Sequence, residues 1–230
     1  MNILKALKSL TKFEICLWAV SVAVITVSFF FSKGGDVLSF IASLIGVTSL
    51  IFLARGFAFG QILMIIFSTV YGIISFRFSY YGEMLTYIGM TLPMAVVSLV
   101  SWIRHPYKKS AEVEVSRLNK KKIAFIVISS VAVTVAFYYI LKAFNTANLL
   151  PSTVSVMTSY IAATLTAFRS PYFALGYACN DLVLIVLWVL AAIEDFSYLP
   201  MVMCFAVFFV NDMYGFICWK KMEKRQGKCS

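Results

Sequence analysis

The chain has 230 residues, of which 61% are hydrophobic and only 13% are charged. A soluble domain carries roughly 45–50% apolar and about 25% charged residues. This composition is therefore typical of a chain dissolved in lipid, and it excludes an ordinary soluble enzyme. The formal net charge of +10 would suit nucleic-acid binding, but the positions of the basic residues favour a different explanation.

Eight segments are apolar and long enough to cross a membrane as α-helices, which takes about 20 residues each. The apolar runs are continuous and lack strict alternation, which argues against a transmembrane β-barrel. No hydrophilic stretch is long enough to fold alone, so we predict a single all-α integral membrane domain over residues 1–230. The predicted spans are 13–31, 37–54, 57–76, 84–103, 123–143, 150–168, 172–193 and 198–219.

The basic residues separate into two sets when the spans alternate in direction. With the N-terminus inside, 17 of the 20 Lys and Arg residues fall on the cytoplasmic side, and only Lys33, Arg77 and Lys142 fall outside. Such an excess marks cytoplasmic segments. We therefore predict a multi-pass protein of the cytoplasmic membrane with both termini in the cytoplasm. The net charge then reflects orientation and contact with anionic lipid, not nucleic-acid binding.

One sequence pattern occurs twice, in spans 2–4 and again in spans 6–8. Each copy has a short helix with Ser and Thr, a basic break, an aromatic-glycine segment, and a final Trp followed by basic residues. Because the copies start four spans apart, they have the same orientation, as in known transporters with parallel repeats. The predicted parts are an additional helix at 13–31, a first repeat at 37–103, a linker helix at 123–143 and a second repeat at 150–219.

Two Asn-Asp pairs lie inside predicted spans, where charged groups are costly and usually functional. Asn180-Asp181 in span 7 and Asn211-Asp212 in span 8 come to a similar depth, because the two helices run in opposite directions. The alternative interpretation is that these residues hydrogen-bond the helices together. A further interpretation pairs Asp212 with a basic residue near the cytoplasmic face.

Aromatic residues near these pairs predict a ligand site. Tyr177, Asp181 and Trp188 share one face of span 7. An aromatic box with amides and a carboxylate suits a flat polar ligand, and the carboxylate favours a positive charge. The other candidate residues are Tyr214 beside Asn211 in span 8, and Gln61, Tyr71, Tyr87 and Thr91 in the first half of the chain.

Three other residues are interpreted structurally. Pro93 falls within span 4, where it should free a backbone carbonyl and kink the helix. Trp102 and Trp219 stand at the ends of spans 4 and 8, and we interpret them as anchors at the membrane interface.

Several residue types needed for catalysis are scarce. His105 is the only histidine, and the five cysteines have no C-x-x-C spacing, so they are interpreted as small buried hydrophobes. No P-loop and no cluster of metal ligands is found in the sequence. We predict no cofactor, no metal and no enzymatic activity. A membrane-embedded lipid transferase would need clustered catalytic groups, whereas the carboxylates here are dispersed.

The last sixty residues resemble the PnuC family of vitamin transporters. The resemblance rests on Asn180-Asp181-Leu182 followed by Leu187-Trp188, and on Asn211 to Phe216 followed by Trp219 and a basic tail. The 3+1+3 plan with an extra N-terminal helix is also similar. Many members have W-x-x-W in the equivalent of span 7, where this chain offers only Phe173 and Tyr177 to stack on a ligand ring.

This resemblance implies uptake of nicotinamide riboside, or of a related unphosphorylated vitamin or nucleoside, by facilitated diffusion and trapping through cytosolic phosphorylation. Thiamine, riboflavin or a deoxynucleoside are alternatives within the family. A SWEET-like sugar carrier shares the plan but not the span-8 motif. A structural subunit of a membrane complex is the alternative from another class. The implied partners are a small-molecule substrate, the lipid bilayer and further copies of the chain in a homo-oligomer.

Overall fold

The computed structural model describes residues 10–31, 37–77, 81–146 and 148–227. These residues contain eight helices that are long and apolar enough to cross a membrane, which confirms the eight predicted spans. The helices are α1 Lys12–Phe31, α2 Val37–Ala54, α3 Ala58–Arg77, α4 (three consecutive segments, Tyr81–Thr86, Tyr87–Thr91 and Leu92–Arg104), α5 Lys120–Ala143, α6 Leu149–Ala167, α7 Phe173–Glu194 and α8 Leu199–Gly227.

The helices form two neighbouring groups, which we call the first bundle (α2–α4) and the second bundle (α6–α8). Within each bundle, consecutive helices of the chain pack on each other. The bundles meet where α2 packs on α8 and where α4 packs on α6. Outside the bundles, α5 packs on α6, and α1 packs on α2 and α8. The interface between the bundles therefore lies among α2, α4, α6 and α8.

One end of the helix array carries most of the described basic side chains, and we call it the basic face. It is defined by Lys12, Arg55, Arg104, Arg169 and Lys220. At this face α8 continues past the predicted end at 219, because its last turns pack against the segment 105–119. Gln226 accepts from Val115 N at 2.7 Å and donates to Val113 O at 3.1 Å.

Two tryptophans connect the bundles crosswise at the basic face. Trp102 at the end of α4 donates from Nε1 to Thr166 O of α6 at 2.9 Å, and Trp219 of α8 donates to Leu53 O of α2 at 2.8 Å. Their ring centroids lie 5.3 Å apart. Their exposed fractions are only 2% and 0%. The interpretation as membrane-interface anchors is therefore wrong, because each indole N–H bonds a carbonyl at the end of a helix in the other bundle.

The turns that follow α2 and α6 have the same hydrogen bonds. In each turn one residue with a positive φ, Gly56 at 68° or Arg169 at 57°, donates its N–H to the carbonyl three residues earlier. The next residue donates to the carbonyl five residues before it. This Schellman-type pattern provides hydrogen-bond donors for the last backbone carbonyls of a helix. The first helix of each bundle thus ends in the same way, although only the first turn contains the glycine that this conformation favours.

Helix α4 is irregular directly before Pro93, where a kink was predicted. A π-helical turn over Tyr87–Thr91 interrupts the α-helix, and Thr91 Oγ1 donates to Thr86 O at 3.2 Å. Proline cannot donate a backbone hydrogen bond, and a wider turn accommodates this inside a membrane helix. Tyr87 and Thr91, the first and last residues of this turn, both line the interior of the protein.

The cysteines do not all follow the prediction that they are buried. Cys204 is buried and Cys218 is half-buried, but Cys16 and Cys179 are exposed on the outer surface of their helices. In a membrane protein this surface contacts lipid, which accepts a thiol as readily as a protein core does. Cys229 lies outside the described residues.

We expect Trp102→Phe to reduce the free energy of unfolding by about 1 kcal/mol, because it removes one buried hydrogen bond and keeps an aromatic ring. The apparent melting temperature in detergent should fall by about 2–4 °C. Trp18→Phe is the matched control, since Trp18 is 39% exposed and bonds only a side chain, Thr48. Equal melting temperatures for Trp102→Phe and the wild type would show that the crosswise bonds do not stabilise the protein.

Candidate ligand-binding site

A cavity lies between the two bundles. Its lining begins at Gly82, Leu141 and Thr146, near the end of the array opposite the basic face. It extends inward to Leu53 and Tyr177. The cavity therefore ends before the basic face, where the crosswise tryptophans hold the bundles together.

Eight of the twelve predicted site residues line this cavity. They come from α3, α4, α7 and α8, so both bundles contribute. These residues are Tyr71, Tyr87, Thr91, Tyr177, Asn180, Asp181, Trp188 and Asp212. Their helical positions, predicted from spacing along span 7 and from depth in span 8, bring them to one place. Their role in binding a substrate remains a prediction.

Two carboxyl groups line the cavity together. They belong to Asp181 of α7 and Asp212 of α8, which are 4% and 5% exposed. Asp181 Oδ2 has no hydrogen-bond partner. Among the described residues that line the cavity, none is Lys, Arg or His. The cavity thus places two acidic groups where no basic side chain compensates them.

Aromatic rings from both bundles line the same cavity. Tyr71 of α3 and Tyr87 of α4 have ring centroids 4.4 Å apart, and Phe67 contacts both of them. In the second bundle, Trp188 packs against Tyr198 with 5.6 Å between centroids. The Trp188 Nε1 atom is buried and has no hydrogen-bond partner. A ligand in the cavity would find rings from both bundles and one unused N–H donor.

Asn180 connects α7 to α6 at the edge of the cavity. Its Oδ1 accepts from Thr158 Oγ1 at 2.8 Å and from Ser155 Oγ at 3.2 Å. Ser155 itself lines the cavity, together with Ser152 and Ser159 on the same helix. Asn180 therefore has both of the properties that the sequence left as alternatives, because it lines the cavity and also bonds two helices together.

Two predicted residues of α8 lie outside the cavity and instead hold α1. Asn211 Nδ2 donates to Ser21 Oγ at 3.0 Å, and Tyr214 donates to Glu14 Oε1 at 3.0 Å. Glu14 is 1% exposed and also pairs with Arg55 at 3.6 Å. Neighbouring residues on a helix point about 100° apart. Asn211 therefore faces α1, whereas the next residue, Asp212, faces the cavity.

Two further predicted residues also lie elsewhere. Phe173 is 1% exposed and packs under the tryptophans of the basic face, with its centroid 4.8 Å from that of Trp219. It is therefore not available to stack on a ligand in this structure. Gln61 lines a smaller neighbouring cavity, which Tyr177 and Thr91 also border. Its Nε2 is buried without a partner.

The sequence interpretation missed several residues of the cavity wall. Phe67 and Phe208 were not predicted, because an aromatic residue in an apolar span has no feature that separates a ligand site from the core. Ser152, Ser155 and Ser159 did carry a signal. Their spacing of three and four residues places the hydroxyls on one face of α6.

Seven of the eight described helices line one internal cavity that holds two carboxyl groups, an arrangement that fits a polytopic membrane transporter. A sequence profile of the family described as nicotinamide mononucleotide transporter matches residues 36–221, and the chain belongs to this family. It is a transporter and not an enzyme. The resemblance to the PnuC family found in the sequence is thus confirmed.

Two known proteins illustrate this membership. The nicotinamide riboside transporter PnuC of Neisseria mucosa is 26% identical over 194 residues, which cover 82% of this chain and 73% of the relative. The crystal structure of the vitamin B3 transporter PnuC has a TM-score of 0.81 with 24% identity, and the match covers 95% of this chain and 94% of that chain. At this identity, the second comparison shows that the fold is shared.

We expect Asn211→Ala and Ser21→Ala to be coupled in a double-mutant cycle of unfolding free energies. Their shared hydrogen bond should give an interaction energy of about 0.6 kcal/mol, with an upper value of about 1.7 kcal/mol. The control cycle combines Asn180→Ala with Ser21→Ala, whose side chains belong to different contacts. Additive effects in the first cycle would contradict the assignment of Asn211 to the contact with α1.

Proposed function

We propose that this protein carries nicotinamide riboside, or a closely related unphosphorylated vitamin or nucleoside with a cationic ring, across the cytoplasmic membrane. The observation that carries this proposal is the combination, in one cavity, of two carboxyl groups with aromatic rings from both bundles. Positive charge is attracted both by carboxylates and by ring faces. The name of the Neisseria mucosa relative supports the same substrate.

The cavity favours a nucleoside over its phosphorylated form. The family is described by a mononucleotide, whose phosphate would need Arg, Lys or helix N-termini as partners. The described lining offers no basic side chain and holds Asp181 and Asp212. These carboxyl groups would repel a phosphate, because like charges buried together are costly. We therefore assign the riboside, and not the mononucleotide, to this chain.

Two unused polar atoms match the chemistry of nicotinamide riboside. Trp188 Nε1 needs an acceptor, and Asp181 Oδ2 needs a donor or a positive charge. The substrate offers a carboxamide oxygen and ribose oxygens as acceptors, and hydroxyl and amide hydrogens as donors. Polar groups buried without hydrogen-bond partners are costly. A ligand that forms hydrogen bonds with both atoms removes this cost and therefore binds more tightly.

Thiamine is the alternative that the same groups favour, because it also combines aromatic rings with a permanent positive charge. Riboflavin and deoxynucleosides are neutral, so they would use the rings but not the charge of the carboxyl pair. A structural subunit would need no ligand at all. These alternatives differ in which compound stabilises the folded protein.

We further propose how the chain is organised for transport. Residues 37–103 and 150–219 act as two parallel repeats, the linker helix predicted at 123–143, which lies within α5, joins them, and α1 is an addition. The matching turns after α2 and α6 and the crosswise tryptophan bonds support this division. The basic face lies in the cytoplasm, as the excess of Lys and Arg favours. Substrate then enters by facilitated diffusion and is retained through phosphorylation in the cytosol.

Thermal stability of the purified protein tests the substrate. A ligand at 100 times its Kd stabilises the folded state by about 2.7 kcal/mol, so nicotinamide riboside should raise the melting temperature by about 5–10 °C. Nicotinamide mononucleotide should give no shift. Thiamine, riboflavin and common nucleosides complete the panel. No shift with any compound, together with no uptake into proteoliposomes, would support the structural-subunit alternative.

Removing one carboxyl group tests the role of charge. Asp181→Ala should weaken binding and uptake of nicotinamide riboside or thiamine more than those of neutral riboflavin. Ser21→Ala is the matched control, because Ser21 is buried outside the cavity. Uptake of the cation by Asp181→Ala at the wild-type rate would remove Asp181 from the site.

A further inference from the structure

The segment that joins α4 to α5 crosses the basic face and contacts both bundles. We call this segment, residues 105–119, the strap. Val113 N donates to Gly56 O at 2.9 Å, and Ser116 N donates to Arg169 O at 3.0 Å. Gly56 and Arg169 are the residues with positive φ in the two matching turns after α2 and α6. The strap therefore bonds the same backbone carbonyl in the corresponding turn of each bundle.

The end of α8 is attached to the strap through the amide of Gln226. Its Oε1 accepts from Val115 N at 2.7 Å, and its Nε2 donates to Val113 O at 3.1 Å and to Glu112 Oε1 at 2.8 Å. The side chain is only 7% exposed, so water competes little for these hydrogen bonds. In the neighbouring ion pair with Glu112, Arg225 is 59% exposed, and exposed ion pairs contribute little to stability. Gln226 is therefore the main polar contact between α8 and the strap.

The strap, α8 and the turn after α2 pack closely on each other. Val113 is 2% exposed. A Cβ added to Gly56 would lie 3.3 Å from Val113 Cγ1 and 3.1 Å from Met222 Cε of α8, which is closer than the usual contact between carbon atoms. This packed layer covers the side on which the cavity is closed.

The two halves of the strap belong to different bundles. The first half forms a hairpin, in which Pro106 pairs with Val113, and Glu112 pairs with Phe57 directly before α3. This half extends the first bundle. The second half leads into α5, which packs on α6 of the second bundle. Residues 114–119, which the structure describes throughout, form neither helix nor strand, so they can change their path without breaking a helix.

We propose that the strap is the gate of the basic face and that Gln226 is its latch. A substrate that enters the cavity from the opposite end can leave at the basic face only after the two bundles separate there, as alternating access requires. This separation leaves the hairpin on the first bundle and breaks the three hydrogen bonds of Gln226. The gate follows from the transporter class and does not depend on which compound is carried.

Two cysteine probes test the latch in a background in which the five native cysteines are replaced by serine. Ser98→Cys reports the basic face, since Ser98 is 1% exposed and lines the smaller cavity next to the helix ends at that face. Thr86→Cys reports the opposite end, where Thr86 lines the main cavity. Gln226→Leu should raise the rate at which a water-soluble maleimide labels Ser98→Cys about fivefold or more, because one typical hydrogen bond changes an equilibrium by about that factor. The labelling rate of Thr86→Cys should not rise.

The second probe separates a gate from general loosening. A variant that only destabilises the protein exposes both probes, so faster labelling at both positions would overturn the proposal. Unchanged labelling of Ser98→Cys would overturn it as well.

Ser110→Ala is the matched control. It removes the hydrogen bonds of Ser110 Oγ to Tyr107 O at 2.6 Å and from Glu112 N at 3.2 Å within the hairpin, and it leaves Gln226 in place. Both probes should be labelled in this variant as in the parent protein. Equal effects of Ser110→Ala and Gln226→Leu would assign the effect to the hairpin, and Gln226 would not be the latch.

Fixing the strap to α8 should have the opposite effect. Glu112 and Arg225 are in contact, so Glu112→Cys and Arg225→Cys, in the same cysteine-free background, can be joined by a cleavable bifunctional thiol reagent. The cross-link should stop uptake of nicotinamide riboside into proteoliposomes without changing its affinity, and cleavage should restore uptake.

The outcomes separate the gate from the proposed substrate. Full uptake with the cross-link intact would overturn the gate and leave the proposed substrate unaffected. If the protein without the cross-link takes up no riboside, the proposed substrate is wrong, and the labelling of Ser98→Cys and Thr86→Cys still decides the gate.

Discussion

Carboxyl groups inside a membrane need partners, and here Asp181 of α7 and Asp212 of α8 line one cavity in which none of the described lining residues is basic. A salt bridge would have satisfied both groups permanently. Without one, Asp181 keeps an unbonded Oδ2. The proposed preference of the cavity for a positive charge depends on this absence of a basic partner.

The bundles can surround a cavity at one end because they pack tightly at the other. At the basic face, Trp102 and Trp219 join the ends of α4 and α8 to the carbonyls of α6 and α2. Within the second bundle, a Cβ added to Gly176 would lie 3.1 Å from Ala162 Cβ, so α6 and α7 approach as closely as small residues permit. This close approach presents Tyr177, one residue further along, to the cavity.

The sequence predicted the number and order of the helices because apolar length is a strong signal, and it predicted the face of α7 because Tyr177, Asp181 and Trp188 have helical spacing. It could not separate Asn211 from Asp212. Adjacent residues differ by about 100° in direction, and the choice between them depends on α1, whose Ser21 lies 190 residues away in the chain. The tryptophans were misinterpreted for a related reason. A Trp beside basic residues is typical of a membrane interface, and only the tertiary structure shows the backbone carbonyls that the indoles bond.

This chain has Phe173 and Tyr177 where many family members have the W-x-x-W pattern, and this difference changes how the ring of a ligand can be bound. Phe173, one of the two residues at that place, is buried under the tryptophans, so α7 offers Tyr177 and Trp188, and the remaining rings near the carboxyl pair come from Tyr71 and Tyr87 of the first bundle. A ligand held by one bundle alone would bind equally well however the two bundles were arranged. A ligand that needs rings from both gains its full affinity only when they approach each other. The affinity for the ligand then depends on how the two bundles are arranged. Alternating access requires this link between ligand binding and the conformation of a carrier.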